Sequence, residues 1–482
     1  MNRRMIMYTL GYIMGFEAAL LILPLAVSLI YGEDCWLSFL ITIAICVALA
    51  LPMRFLSKPR NHIIYAREGF IIVSFAWIFL SAAGALPFVI SGEIPNYIDA
   101  LFETASGFST TGASIVRDVE VLSHGILFWR SFTHWVGGMG VLVFIVAIMP
   151  NVADRSIHIL RAEMPGPTMG KLVPKLKDTA KILYIIYIVL TVVEMVMLYF
   201  GGMSIFESVV HSFGTAGTGG FGVKGDSITG YSPYIQWVIT VFMALFGVNF
   251  NVYFLILIGK FKSVIKSGEL WTYICILLGC TAVIAANIYP IYGNLSQTLR
   301  LSAFQVSSIA TTTGYATADF IHWPELSKAV LFILMFIGGC AGSTAGGLKL
   351  TRAIMLIKSI KKEYKRLIHP RSVNIARFEG KRIDEATLNN VCVYFGIYMI
   401  IIFAVFLLLC LEKNFDFESN LSASVACFNN IGPGLGLVGP ASNYADYSMF
   451  SKLVLTFAML LGRLEIFPMF IALNTSMLIN KK

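Results

Sequence analysis

Four short segments of the chain set a glycine among residues whose backbone could face a cation. They read Thr110-Thr111-Gly112-Ala113-Ser114, Thr218-Gly219-Gly220-Phe221-Gly222, Thr312-Thr313-Gly314-Tyr315-Ala316 and Asn430-Ile431-Gly432-Pro433-Gly434. Aligned this way, the glycine at the third position is the only identity common to all four. Carbonyl oxygens that replace an ion's water shell must aim at one axis, and the backbone twist that achieves this includes positive φ values that glycine adopts readily. A side chain there would also narrow the path. One such segment alone reads as an ordinary turn, whereas four in register read as the parts of one ion filter.

Loops of this kind need elements to carry them. Each is preceded by a short apolar stretch, at 98–109, 204–217, 298–310 and 417–429, too short to cross the roughly 30 Å of bilayer hydrocarbon. Each stretch lies between two longer apolar runs, so a unit of outer helix, re-entrant loop and inner helix occurs four times. Irregular backbone at membrane depth is tolerated only where protein buries it or it lines a water-filled path, so the four loops are expected to share a cavity. A short helix whose C-terminal end faces that cavity adds a partial negative charge, which favours a cation.

Composition agrees with a membrane setting, since 57% of the 482 residues are hydrophobic and 13% charged. Candidate spans fall at 8–31, 36–53, 69–92, 124–149, 179–200, 234–259, 270–291, 327–358, 386–411 and 447–478. Lys and Arg concentrate at every second connection, where 28 of the 36 occur, so both termini are expected in the cytoplasm. This asymmetry accounts for the net charge of +9 without nucleic acid. The first apolar run contains Glu17 and lacks a small-residue cleavage site, so it reads as a retained helix rather than a leader. The eight cysteines form no C-x-x-C pair and read as small core residues.

The expected fold is therefore an all-α polytopic membrane protein with four pseudo-symmetric repeats around a central pore. An N-terminal helix pair in 1–68 precedes repeats at 69–155, 156–265, 266–382 and 383–482. The third inner helix must break, because Gly338, Gly339, Cys340, Ala341, Gly342, Ser343, Thr344, Ala345, Gly346 and Gly347 put five glycines in ten residues. Arg463 lies inside the last apolar run, where an ionisable side chain usually faces protein or a water path. It could instead pair locally with Glu465. Arg130 poses the same question, with an interface anchor as the alternative.

Several motifs lead nowhere. Residues 434–439 match G-x-G-x-x-G without a βαβ setting, and the glycine run before Lys349 lacks a phosphate-loop ending. His134 and His211 stand outside any metal-ligand spacing and read as structural. No constellation for catalysis is present, so an enzyme is not expected.

The segments 109–113, 308–315 and 429–436 resemble those of the TrkH/KtrB superfamily of bacterial potassium uptake proteins, and the resemblance covers essentially the whole chain. The extra N-terminal helix pair is more similar to the TrkH branch. The resemblance implies a homodimer in the bacterial cytoplasmic membrane, with K+ held at the filter carbonyls of Thr111, Gly112, Gly219, Gly220, Thr313, Gly314, Ile431 and Gly432. Serine in place of the first filter glycine is associated in that superfamily with Na+ permeation, and Gly112 favours K+. Residues 338–347 then correspond to an intramembrane gate and Arg463 to a pore arginine beneath the filter. The basic connection 349–382 corresponds to the docking site of a TrkA-like or KtrA-like ring, which carries the nucleotide cofactor on the partner. Two transport modes remain open: channel-like flow, or symport of K+ with H+ or Na+, for which Glu194 and Glu465 are the candidate coupling carboxylates.

Overall fold

The protein is described from a computed structural model covering residues 2–59, 66–140, 176–371 and 375–473. It is helical apart from a two-stranded antiparallel ribbon, Arg377–Phe378 against Lys381–Arg382. The last nine residues of the span expected at 124–149, most of the basic connection that follows it and the C-terminal Lys481 and Lys482 lie outside the described residues.

Among the described residues, six helical spans are long and apolar enough to cross a bilayer unbroken: Arg3–Tyr31, Trp36–Phe55, Arg67–Ser91, Lys181–Phe200, Gly268–Tyr292 and Glu385–Leu409. The first two form the N-terminal pair. They approach closely at Gly11, where an added Cβ would lie 3.0 Å from the backbone nitrogen of Arg54. The other four are the outer helices of the repeats. Their outward faces keep large apolar side chains exposed, among them Val189, Val192 and Val196 in repeat 2 and Ile400, Phe403 and Leu407 in repeat 4. In water such faces would be a liability, but against lipid tails they cost nothing.

Between outer and inner helices lie the pore helices Tyr97–Phe108, Ile205–Ala216, Leu295–Ala310 and Phe417–Phe428. Each begins at a polar residue that accepts a hydrogen bond from a first-turn amide: Asn96, Ser204, Asn294 and Asp416. Such caps satisfy donors that a helix start leaves open. The pore helices are buried even at polar positions such as Glu103, Ser106, Ser212, Gln305 and Ser424, so protein rather than lipid surrounds them.

The inner helices start at His124, Pro233, Glu325 and Met449 and run 15, 14, 13 and 15 residues before each is interrupted. This corrects the continuous spans expected at 234–259 and 447–478. Pro233–Phe246 meets Phe250–Leu257 at 89°, and Met449–Arg463 meets Ile466–Ala472 at 116°. The first inner helix ends at Gly138, and the third at Ile337, where the glycine-rich segment begins. All four therefore end after a similar length, 13–15 residues. The backbone groups freed there need partners: those of inner helix 2 bond to residues 338–347, and Gly137 O and Gly138 O of inner helix 1 accept from Arg463.

Candidate functional site

Each pore helix closes in the same way. The residue at the first filter position turns left-handed, with φ of 57° at Thr110, 54° at Thr218, 58° at Thr312 and 57° at Asn430. Its amide donates to the carbonyl three residues back, and the next amide donates to the carbonyl five residues back. Thr110 thus bonds Gly107 and Thr111 bonds Ser106, and the pattern repeats in all four loops at 2.8–3.3 Å. This is the Schellman closure of a helix, which normally puts glycine at that position. Threonine is a poor choice there, because a β-branched residue in left-handed φ costs about 1–3 kcal/mol. Three of the four positions nevertheless carry threonine and the fourth asparagine, which tolerates left-handed φ better, and two of these side chains bond across the site: Thr312 Oγ1 accepts Gly346 N and Asn430 Nδ2 donates to Thr111 Oγ1. Sequence reading singled out only the glycines as special backbone positions.

Two residues further on, Gly112, Gly220, Gly314 and Gly432 have φ of 77°, 78°, 84° and 95°, as the filter reading requires. Left-handed, then ordinary, then left-handed backbone turns successive carbonyls toward one side. The glycines also lock the loops together. A Cβ built on Gly112 would lie 1.8 Å from Gly219 O, one on Gly220 2.1 Å from Thr313 O, one on Gly314 2.1 Å from Ile431 O, and one on Gly432 2.8 Å from Thr111 O. The contacts run from repeat 1 to 2, 2 to 3, 3 to 4 and back to 1, so the loops close into one ring. The four oxygens named are the carbonyls preceding the filter glycines, four of the eight expected to hold the ion.

The remaining candidate residues flank this ring. Ala113, Phe221 and Tyr315 are buried behind it, and the Tyr315 hydroxyl donates to Phe221 O at 3.1 Å, tying loop 3 to loop 2. Tyr444, not anticipated from sequence, donates to Gly432 O at 2.7 Å while its amide donates to Ser114 O at 2.8 Å, tying loop 4 to loop 1. Asn430 Nδ2 donates to Thr111 Oγ1 at 3.0 Å. Pro433 Cδ packs against Gly314, where an added Cβ would lie 2.9 Å away.

The segment 338–347 lies directly against the filter. Gly346 N donates to Thr312 Oγ1 at 2.6 Å, and a Cβ on Gly346 would lie 2.5 Å from Asn429 O. The segment is also stitched to the interrupted second inner helix: Cys340 N donates to Gly247 O at 3.0 Å, Phe250 N to Gly342 O at 3.0 Å, and Thr344 Oγ1 to Phe246 O at 3.2 Å. From outer helix 3, Glu269 accepts Ala341 N at 2.8 Å within the segment and the Thr351 hydroxyl just beyond it, so one carboxylate ties the segment to the helix that follows.

Arg463 spans the same level. Its guanidinium donates to Thr344 O at 2.8 Å in the glycine-rich segment and to Gly137 O and Gly138 O at 2.6 and 2.8 Å at the end of inner helix 1. Glu465 pairs instead with Arg352 at 2.7 Å, and Arg352 stacks 4.2 Å from the centre of the Tyr394 ring. Lys349, buried with φ of 72°, donates from Nζ to Ala345 O. Between Gly138, Phe250, Gly346, Lys349 and Arg463 remains a cavity of about 50 Å3, room for a few waters only. Glu194 is fully buried on outer helix 2 and has no ion pair among the described residues.

Fold and site together define a multi-pass membrane protein in which four re-entrant loops close into a ring of neighbouring carbonyls, with a glycine-rich segment packed against it and Arg463 and the buried Lys349 bonded to that segment. The comparisons with known proteins agree. The TrkH family model, described as a cation transport protein, matches residues 37–274 and 292–479. The "Trk system potassium uptake protein TrkH" of Salmonella typhimurium is 37% identical over 98% of both chains, and that of Vibrio parahaemolyticus is 33% identical over 98% of this chain and 99% of the relative. The crystal structure of the potassium transporter TrkH from Vibrio parahaemolyticus superposes with a TM-score of 0.89 at 32% identity, covering 99% of this chain and 100% of that one. The chain belongs to the TrkH family.

Proposed function

We propose that this chain takes up K+ across the bacterial cytoplasmic membrane by channel-like flow through the four-loop filter, with residues 338–347 as the gate. The observation that carries the reading is the closed ring of contacts from Gly112, Gly220, Gly314 and Gly432 to the neighbouring carbonyls. A ring of oxygens replaces water around a cation at little cost, and the four pore-helix C-termini add negative potential. K+ is the cargo that the relatives' names state.

The gate reading rests on Gly346 bonding to the filter residue Thr312 while Arg463 reaches Thr344 from the far side. A guanidinium beneath the filter repels K+, and a plug anchored on three inner helices obstructs it. Opening then requires pulling residues 338–347 aside. The helix Leu350–Ile368 follows the plug directly and carries Lys358, Lys361, Lys362, Lys365 and Arg366. A cytoplasmic TrkA-like or KtrA-like ring that binds nucleotide and grips this basic segment would have a lever on the gate. Both termini face the cytoplasm in this reading, and two copies pair in the membrane.

Symport has less support: Glu465 is engaged with Arg352, and Glu194 is buried away from the plug contacts described above. Rubidium uptake into liposomes tests the choice. Uptake driven by the Rb+ gradient alone is expected. Uptake that requires an opposing or accompanying H+ or Na+ gradient would overturn channel-like flow.

A further inference from the structure

Loop 2 departs from its neighbours at Gly219, where loops 1 and 3 carry Thr111 and Thr313. Those threonines are held by a hydroxyl two residues earlier, Ser109 to Thr111 at 2.7 Å and Thr311 to Thr313 at 2.8 Å. Gly219 has no such support. Nor is its glycine demanded by the backbone, since its φ lies outside the left-handed region. What excludes a side chain is another residue: a Cβ on Gly219 would lie 2.3 Å from His134 Nδ1 and 2.4 Å from its Cγ.

His134 comes from inner helix 1, and its Nδ1 is 2.8 Å from Gly107 O on pore helix 1. One turn earlier on the same helix is Arg130, whose Nε meets Glu103 Oε1 of pore helix 1 at 2.5 Å; both residues are buried. The guanidinium also donates to Gly222 O at 3.2 Å and Ser114 Oγ at 3.0 Å, and lies 3.7 Å from the centre of the Phe221 ring. Glu103 further accepts Ile115 N at 2.9 Å and Ser114 Oγ at 3.0 Å. The Phe221 ring also packs against His134, at 4.2 Å between centroids.

We propose that Glu103, Arg130 and His134 form a bracket that stands in for the missing threonine of loop 2, holds its carbonyls in the ring, and thereby sets the preference for K+ over Na+. The three are positioning residues, and the proposal rests on the filter reading above. A buried ion pair is rigid when every remaining polar atom is satisfied, and Glu103 and Arg130 together engage both loop 1 and loop 2. Their charges cancel, so the pair fixes geometry without opposing a cation. Loops 1 and 3 obtain the same rigidity from their own hydroxyl pairs. Loop 2, with glycine at 219, 220 and 222, has the most backbone freedom and the greatest need of an external brace. Gly219 O is also the oxygen that abuts Gly112, so slack in loop 2 passes directly to loop 1.

The test is a size exchange read as the Rb+ to Na+ permeability ratio of purified full-length protein in liposomes. His134→Ala and Gly219→Thr are each expected to lower the ratio, the first by about fivefold if the positioning lost is that of the single hydrogen bond to Gly107 O. The double variant, which trades the imidazole for the threonine used in loops 1 and 3, is expected to recover most of it. Glu103→Gln keeps the shape of the side chain but removes its charge, and it should lower the ratio even if Gly219→Thr does not fold. A double variant no better than the poorer single one, or Glu103→Gln and His134→Ala at the wild-type ratio, overturns the bracket. Loss of folded protein in every variant would reduce it to a folding role and overturn it equally. A wild type without preference for Rb+ would sink the filter reading and the bracket together, whereas a selective wild type with unaltered variants sinks the bracket alone.

Discussion

If residues 338–347 are a gate, the group that holds them closed most economically is Glu269, and removing it should open the pathway. Its carboxylate accepts the amide of Ala341 within the segment and the hydroxyl of Thr351 just beyond it, with Asn249 Nδ2 at 3.4 Å as a third contact. Hydrogen bonds to a charged group contribute about 1.5–3 kcal/mol, and a buried amide left without a partner costs a similar amount. Glu269→Ala imposes that cost on the closed arrangement only, because a displaced segment can offer its amide to water. Taking a single such loss, the closed-to-open ratio should fall by about 10- to 150-fold. Glu269→Gln keeps an amide oxygen that can accept from Ala341, so it should fall between the alanine variant and wild type. Basal rubidium flux in liposomes, without any cytoplasmic partner, reads the change. An alanine variant that is folded and conducts no faster than wild type would refute the reasoning, as would a glutamine variant that conducts faster than alanine.

Other substitutions separate the parts of the account. Gly112→Ser places a Cβ within 1.8 Å of Gly219 O and should lower the K+ to Na+ permeability ratio measured from bi-ionic potentials. Thr110→Gly relieves a left-handed threonine costing about 1–3 kcal/mol, so thermal stability in detergent should hold or rise while selectivity falls. Arg463→Gln removes both a positive charge beneath the filter and the contact with Thr344, and unitary conductance and basal flux should both increase. In the connection between the two N-terminal helices, burial works to raise the Glu33 carboxyl, but the amides of Gly125 and His124 and the His124 ring outweigh it and leave it below its ordinary value. Its contribution is therefore complete above the ordinary carboxylate range and is lost as pH falls through the lowered folded value. Glu33→Gln should accordingly lose less melting temperature than wild type between neutral pH and about pH 3.

Much of this architecture is legible in the sequence, because hydrophobic runs and glycines report on elements directly. The pore loops could be found from four glycines in register, and the structure gives all four the positive φ that the pattern demanded. The breaks in inner helices 2 and 4 were hidden, since the first falls at the lone glycine Gly247 inside an apolar run and the second at Leu464 and Glu465, where Glu465 takes a positive φ of 54°. At inner helix 2 the freed groups Phe246 O, Gly247 O and Phe250 N bond to residues 338–347, and at inner helix 4 the break lets Arg463 donate to Thr344 O, Gly137 O and Gly138 O, a long-range arrangement that periodicity does not encode. Arg463 could be found as a charge in an apolar run, but its partners could not: local pairing with Glu465 was the alternative, and Glu465 is bonded to Arg352, 113 residues away. Glu103 and Arg130 left a signal that was only half read, as opposite charges on successive membrane segments. His134 left none, because an imidazole filling the space of an absent threonine is visible only in three dimensions.

The central claim is that the four loops form one K+-selective ring, and the reversal potential of purified wild-type protein in a planar bilayer tests it most directly. With K+ on both sides in a tenfold gradient and Na+ balancing the osmolarity, the current should reverse close to the K+ equilibrium potential, about 59 mV in magnitude for a monovalent ion. Reversal near zero, meaning that Na+ passes as readily as K+, would contradict it.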